Sequence, residues 1–294
     1  TNLDFQLGET HTRVTAVLQL HRNGKHTRSL VLDGEKMELI SLKIDGKKLE
    51  DSEYQVADES LTIGSVPDSF ELEIVTQLQP HLNTELSGLY QSSGNFCTQC
   101  EAEGFRRITF FPDRPDVLSV YTATLTASAK DCPVLLSNGN LDSSGETTEG
   151  RHWAKWHDPH PKPSYLFALV AGDLEHINGH FVTASGAPVE LNIYTQAHNI
   201  DKCAHAMDSL IESMRWDEKV YGREYDLDIY NVVAVDDFNM GAMENKGLNV
   251  FNSKYVLADQ ASATDADYEG IESVIGHEYF HNWSGNRVTC RDWF

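Results

Sequence analysis

Basic residues are scarce in this sequence. It has 23 Lys and Arg against 45 Asp and Glu, a formal charge of −22. Such a surface repels the phosphates of nucleic acid and of anionic membranes, so neither is expected as a partner. Most of these carboxylates serve to solvate the surface; a cationic substrate or adaptation to salt would fit the same balance. There is no apolar run long enough to cross a bilayer and no signal-peptide pattern at the start. Internal repeats and low-complexity linkers are absent too. An even, patterned set of cysteines is also missing: Cys97, Cys100, Cys132, Cys203 and Cys290 are odd in number and scattered. That does not read as a disulfide framework, and a reducing, cytoplasmic compartment is expected. Cys97-Thr98-Gln99-Cys100 has redox or zinc-knuckle spacing. With no second such pair and no thioredoxin-like βαβ pattern around it, it reads as two unoxidised cysteines in a loop.

What is present divides in two. With 294 residues the chain can hold two domains, each with its own core. Over residues 1–173, Val14, Ala16, Leu18 and Leu20 alternate, as do Phe70, Leu72 and Ile74, which is the period of a half-buried strand. Asn23-Gly24, Asp33-Gly34, Asp45-Gly46 and Asn138-Gly139 are turn signals. The apolar run Tyr165 to Ala171 suits a strand covered on both faces. An antiparallel β-sandwich or saddle is the simplest account. Over residues 174–294 the pattern is mixed. Strands are expected at Val189 to Tyr194 and Ile229 to Val235. Between them, Cys203, Met207, Leu210, Ile211 and Met214 form one helical stripe.

The chemistry is concentrated near the end of the sequence, in His277-Glu278-Tyr279-Phe280-His281. On a helix, residues four apart share a face, so both imidazoles can reach one metal ion; this is the HExxH signature of zinc peptidases. Glu278 stands beside the first histidine, where it can act on a water molecule. A surface helix with two unrelated histidines is the plain alternative, but the context argues against it. Thr264-Asp265-Ala266-Asp267 resembles a capping box with Asp in place of Glu, and Tyr268, Ile271, Val274 and Ile275 follow at helical spacing. Upstream lies Met240-Gly241-Ala242-Met243-Glu244-Asn245-Lys246-Gly247. Its glycines permit close backbone approach, and Glu244 either grips a cation or is a solvated carboxylate in a turn.

GAMEN followed by HExxH resembles the gluzincin zinc aminopeptidase family, and the surrounding sequence is similar to its bacterial members. Asn249 to Tyr255, Asn282 to Arg287 and Thr98 to Arg106 agree with that resemblance, which spans essentially the whole chain. The resemblance implies a β domain followed by the start of an α+β thermolysin-like metallopeptidase domain. It also implies one zinc held by His277 and His281, with Glu278 as general base. Glu244 and Glu101 would bind the α-ammonium of a peptide substrate, with Gln99 close by. Met240 would cushion the first side chain, and Gly241, Ala242 and Met243 would supply an edge-strand backbone. In the family a third ligand, a glutamate, follows the second histidine by nineteen positions, which is position 300 here and past Phe294. An oxyanion-stabilising tyrosine and a helical C-terminal portion lie further on.

The resemblance therefore implies the front part of a longer, monomeric enzyme acting on peptides with a free N-terminus, with broad specificity. It also implies that this piece holds zinc weakly and is inactive alone. Three alternatives stay open: a leukotriene-hydrolase-like epoxide hydrolase, whose glycine stands where this chain has Ala242; a zinc endopeptidase lacking the two-carboxylate clamp; and a non-catalytic peptide-binding fragment.

Overall fold

The computed structural model describes residues 1–293. Its largest element is an eight-stranded sheet in which Asn2–Gln6, Thr12–His21, Glu38–Ile44, Ser69–Leu78, Ser119–Ser128 and Arg151–Lys162 are the inner strands. Val14, Ala16 and Leu18 face the core alongside Phe70, Leu72 and Ile74, as the period of two requires. A four-stranded sheet (Val134–Ser137, Leu169–Gly172, Asn95–Gln99, Gly88–Ser92) shares that core. A three-stranded sheet contributes Leu32, Leu61 and Ile63 to it.

Three expectations need correction. The large sheet is not wholly antiparallel, because Asn2–Gln6 runs parallel to Ser119–Ser128 while pairing antiparallel with Thr12–His21. A parallel neighbour needs a long connection, and over a hundred residues intervene here. The run from Tyr165 to Ala171 is only half strand. Tyr165 and Leu166 lie in a 3₁₀ turn after Pro163, and the strand begins at Leu169. The Asn138 side chain substitutes for the missing ladder bonds: its amide donates to the Leu166 carbonyl (3.0 Å) and its oxygen accepts from Ala168 N–H (2.8 Å). Finally, Cys97 sits inside the strand Asn95–Gln99, and only Cys100, just past its end, lies in the following loop. Both thiols are free and fully buried, and burial pushes Cys97 up to about 12, which leaves it inert as a nucleophile.

The second half is built on a mixed five-stranded sheet, ordered Glu175–Val182, Pro188–Thr195, Ile229–Val235, Leu248–Asn252 and Ala242–Met243. Its inner pairs are parallel, and Ala242–Met243 is the antiparallel edge strand. Alternation along the strands covers both faces. Val233, Val235, Leu248 and Val250 join the β-domain core, while Val232, Ala234 and Phe251 pack under two helices. Helix α1 (Ala204–Tyr221) presents Met207, Leu210 and Met214 to that layer, and ends at Gly222 with φ 62°. Helix α2 (Asp265–Phe280) opens with the expected capping box. Thr264 N–H donates to the Asp267 carboxylate (2.8 Å), and Asp267 N–H donates to the Thr264 hydroxyl (3.3 Å). Such a cap is worth about 1 kcal/mol and fixes where the helix starts. Ile271, Ile275 and Tyr279 then form its buried stripe. No helix among the described residues is long and apolar enough to cross a membrane.

Candidate active site

The stripe that buries Ile271 and Ile275 also turns Glu278 inward, to 5% exposure, while His277 and His281 stand at its margin at the C-terminal end of α2. The Nε2 atoms of the two histidines are 3.0 Å apart, with the rings nearly perpendicular. Two imidazoles on a tetrahedral zinc, at the usual Zn–N length, would hold those atoms about 3.3 Å apart, so the donor pair fits such an ion. The tautomer fits as well. His281 Nδ1 lies 2.8 Å from the Ser284 carbonyl, which only accepts, so Nδ1 carries the proton and Nε2 keeps its lone pair. Glu278 Oε2 is buried with no hydrogen-bond partner, as expected of a carboxylate whose partner is a bound molecule.

The turn after α2 completes this arrangement. Gly285 has φ 148°, and a Cβ there would stand 2.8 Å from His281 Nδ1. Only glycine lets the Ser284 carbonyl meet the imidazole. Asn286 donates from Nδ2 to the Glu244 carbonyl (2.9 Å), tying this turn to the GAMEN loop. The turn also brings Val288, Thr289 and Cys290 to a cavity of about 370 Å³. Sequence reasoning did not assign these residues; Gly285, following the second histidine closely, was the available signal.

Glu101, Met240, Ala242, Glu244, His277, Glu278 and His281 line this cavity together. Three further expected residues do not line it. Gln99 is buried behind Met240, its Nε2 donating to the thioether sulfur at 3.1 Å, with its Oε1 unpartnered. Met243 points into the β-domain core, as the strand's period demands once Ala242 faces the cavity. Gly241 contributes backbone, its carbonyl accepting from Asn252 N–H at 3.0 Å. Because Ala242–Met243 is an edge strand, one row of its backbone groups is free to pair with another chain.

Three carboxylates with few counter-charges share the cavity. Burial raises Glu101 above the usual range, and Glu244 raises it further, while His281 opposes them. Burial also pushes Glu278 up, from 4.5 to about 8, with Glu244 and then Glu101 adding to it. Burial and His281 lower His277, keeping it neutral and available as a ligand. This is a site that lacks cations and favours them.

A stability consequence follows for the metal-free protein. Below pH 4.5 Glu278 is protonated whether the chain is folded or not. Between 4.5 and about 8 the unfolded chain ionises while the folded one retains its proton, so this group's stabilising contribution is lost as pH rises through that window. Glu278→Gln is expected to match the parent near pH 4.5 and to exceed it by a few kcal/mol above pH 8. Melting curves in chelator across that range test this, and an unchanging difference would contradict it.

Comparison with known proteins agrees with the geometry. Residues 2–166 match the Peptidase M1 N-terminal domain and residues 205–294 match the Peptidase family M1 domain. Aminopeptidase N of Caulobacter vibrioides is 56% identical over 294 residues, covering 100% of this chain and 34% of that protein. Aminopeptidase N of Escherichia coli is 54% identical over 293 residues, covering 100% and 33%. The crystal structure of Legionella pneumophila aminopeptidase A in complex with aspartic acid superposes with a TM-score of 0.94 at 38% identity, covering 99% of this chain and 35% of that one. The chain thus spans about a third of the length of the curated relatives it matches. With both domain matches in chain order and the His277–His281 segment folded as a helix end, as the motif requires, the chain belongs to peptidase family M1.

Proposed function

We propose that this chain is the front portion of a zinc aminopeptidase that removes N-terminal residues from peptides with broad side-chain tolerance. One observation carries the reading: Glu101 from the β domain and Glu244 from the GAMEN loop converge on the cavity that also holds His277, Glu278 and His281. An endopeptidase has no use for two spare carboxylates there, whereas a free α-ammonium satisfies both through charge-assisted hydrogen bonds. Such a clamp fixes the scissile bond one residue from the N-terminus and excludes internal bonds, which present no charged amine.

The other residues have parts consistent with this. The edge strand Ala242–Met243 offers its backbone to the substrate's backbone. Met240, half-exposed and unbranched, adapts to first side chains of several shapes. Glu278 accepts the proton of the attacking water and delivers it to the leaving amine; its raised affinity for protons suits both halves of that task. His277 and His281 would hold the zinc ion, which when bound supplies Lewis acidity to the carbonyl and the water. A domain boundary near residue 173 belongs to the same reading, supported by the second sheet beginning at Glu175. So does a cytoplasmic monomer, for which the five unpaired cysteines are compatible with a reducing compartment.

Metal content tests the ligand assignment. The full-length enzyme is expected to bind one zinc, and His277→Ala or His281→Ala to weaken it by at least about a hundredfold. The 294-residue chain, offering two imidazoles, is expected to lose zinc on dialysis against a chelator. Elemental analysis finding stoichiometric zinc in either histidine variant, or chelator-resistant zinc in this chain, would refute the assignment.

A further inference from the structure

Behind the cavity lies an ion cluster that the proposed chemistry does not use. Lys246 is 1% exposed, and its ammonium donates to Asp226 Oδ1 and, at 2.7 Å, to Asn282 Oδ1. Asn282 Nδ2 donates back to Asp226 Oδ1 at 3.3 Å, closing a three-membered ring of contacts. Arg287 reaches Asp226 Oδ2 from the turn beyond α2, and His160 Nε2 lies 3.5 Å from the same oxygen. The Tyr225 ring sits beside the Lys246 ammonium at 5.4 Å.

The chain positions of these groups give the cluster its meaning. Lys246 is two residues after Glu244, and Asn282 directly follows His281. The backbone of the GAMEN loop is gripped on both sides of Asn245: Asn286 holds the Glu244 carbonyl and Asn138 holds the Lys246 carbonyl, each at 2.9 Å. The ring thus ties the loop bearing the ammonium-binding carboxylate to the residue following the second metal-ligand histidine. Merely filling space would call for apolar side chains, since a buried ion pair costs desolvation that hydrophobic packing avoids. A directional network fixes a distance, which apolar packing does less sharply.

We propose that Asp226, Lys246 and Asn282 are positioning residues that set the separation between Glu244 and the His277–His281 metal site. The inference rests on the aminopeptidase reading, since the separation matters only if the substrate spans the two. These residues touch no reacting atom; they act through Glu244.

The test uses the full-length enzyme and two variants. Asp226→Asn combined with Lys246→Met removes the pair together, so that no buried ammonium is left without its counter-charge, while the partly exposed Arg287 keeps its access to water. Asn282→Ala breaks only the amide link and serves if the double variant does not fold. Each is expected to keep its zinc and to lose between about 2- and 30-fold in kcat/KM on a free-amine substrate, mainly through KM. That loss is expected to vanish in a Glu244→Gln background, where there is no carboxylate left to position. A loss of equal size in that background, loss of zinc, or unaltered kinetics would overturn the proposal. If the parent itself shows no preference for a free amine, the aminopeptidase reading fails first and the proposal with it. A parent that keeps the preference beside variants that leave it unaltered refutes the positioning role alone.

Discussion

The full-length enzyme is expected to cleave an aminoacyl substrate with a free α-amine at least about a hundredfold faster than its N-acetylated twin. The argument begins with Glu101 and Glu244, which share the cavity and lack cations to balance them. An ammonium group entering there exchanges its water for two anionic acceptors. An acetamide brings no charge, adds bulk, and leaves both carboxylates desolvated and unpaired. Unpaired groups of this kind cost several kcal/mol, hence the hundredfold or more in kcat/KM. Glu101→Gln or Glu244→Gln should slow the free-amine substrate and narrow the gap between the two. Paired rate measurements decide the matter. Equal rates would favour an endopeptidase, and inactivity on both substrates with epoxide hydrolysis intact would favour the epoxide hydrolase.

The second large effect separates the base from the ligands. Glu278→Ala is expected to leave zinc content unchanged and to lower kcat by about 10²- to 10⁴-fold, because it removes a proton acceptor and no imidazole. His281 is expected to keep its orientation in that variant, since the Ser284 carbonyl holds it rather than Glu278. Zinc analysis alongside single-turnover kinetics tests this. Near-normal turnover with zinc bound would show that another group takes the proton.

The sequence revealed different parts of the molecule to different depths. The strand periods, the α1 stripe and the Thr264 cap depend on neighbours a few residues away, and the folded chain follows them closely. The approach of His277 and His281 was legible for the same reason, since four-residue spacing on a helix is a local property. Glu101 and Glu244 were not, except by resemblance. They lie on separate domains and meet through the packing of the mixed sheet against the β core, which no local period encodes. The Tyr165 turn was misread because Asn138 satisfies its backbone from a distant position. The Asp226 cluster escaped entirely, since charged residues in sequence look solvated until burial is known.

The short strand Asn2–Gln6 has a consequence for how the protein is made. It lies within its sheet, yet its parallel partner, Ser119–Ser128, is synthesised about 120 residues later. At roughly 5–20 residues per second, the first strand leaves the ribosome some ten seconds before that partner exists. During that interval the hairpin side can form while the other row of backbone groups stays open, an edge that any passing strand could join. Completing the sheet also closes a very long loop, so its last seam depends on the slowest contact in the domain. The nascent chain's exposure to mispairing is thus set by this one strand order, long before His277 and His281 have been translated.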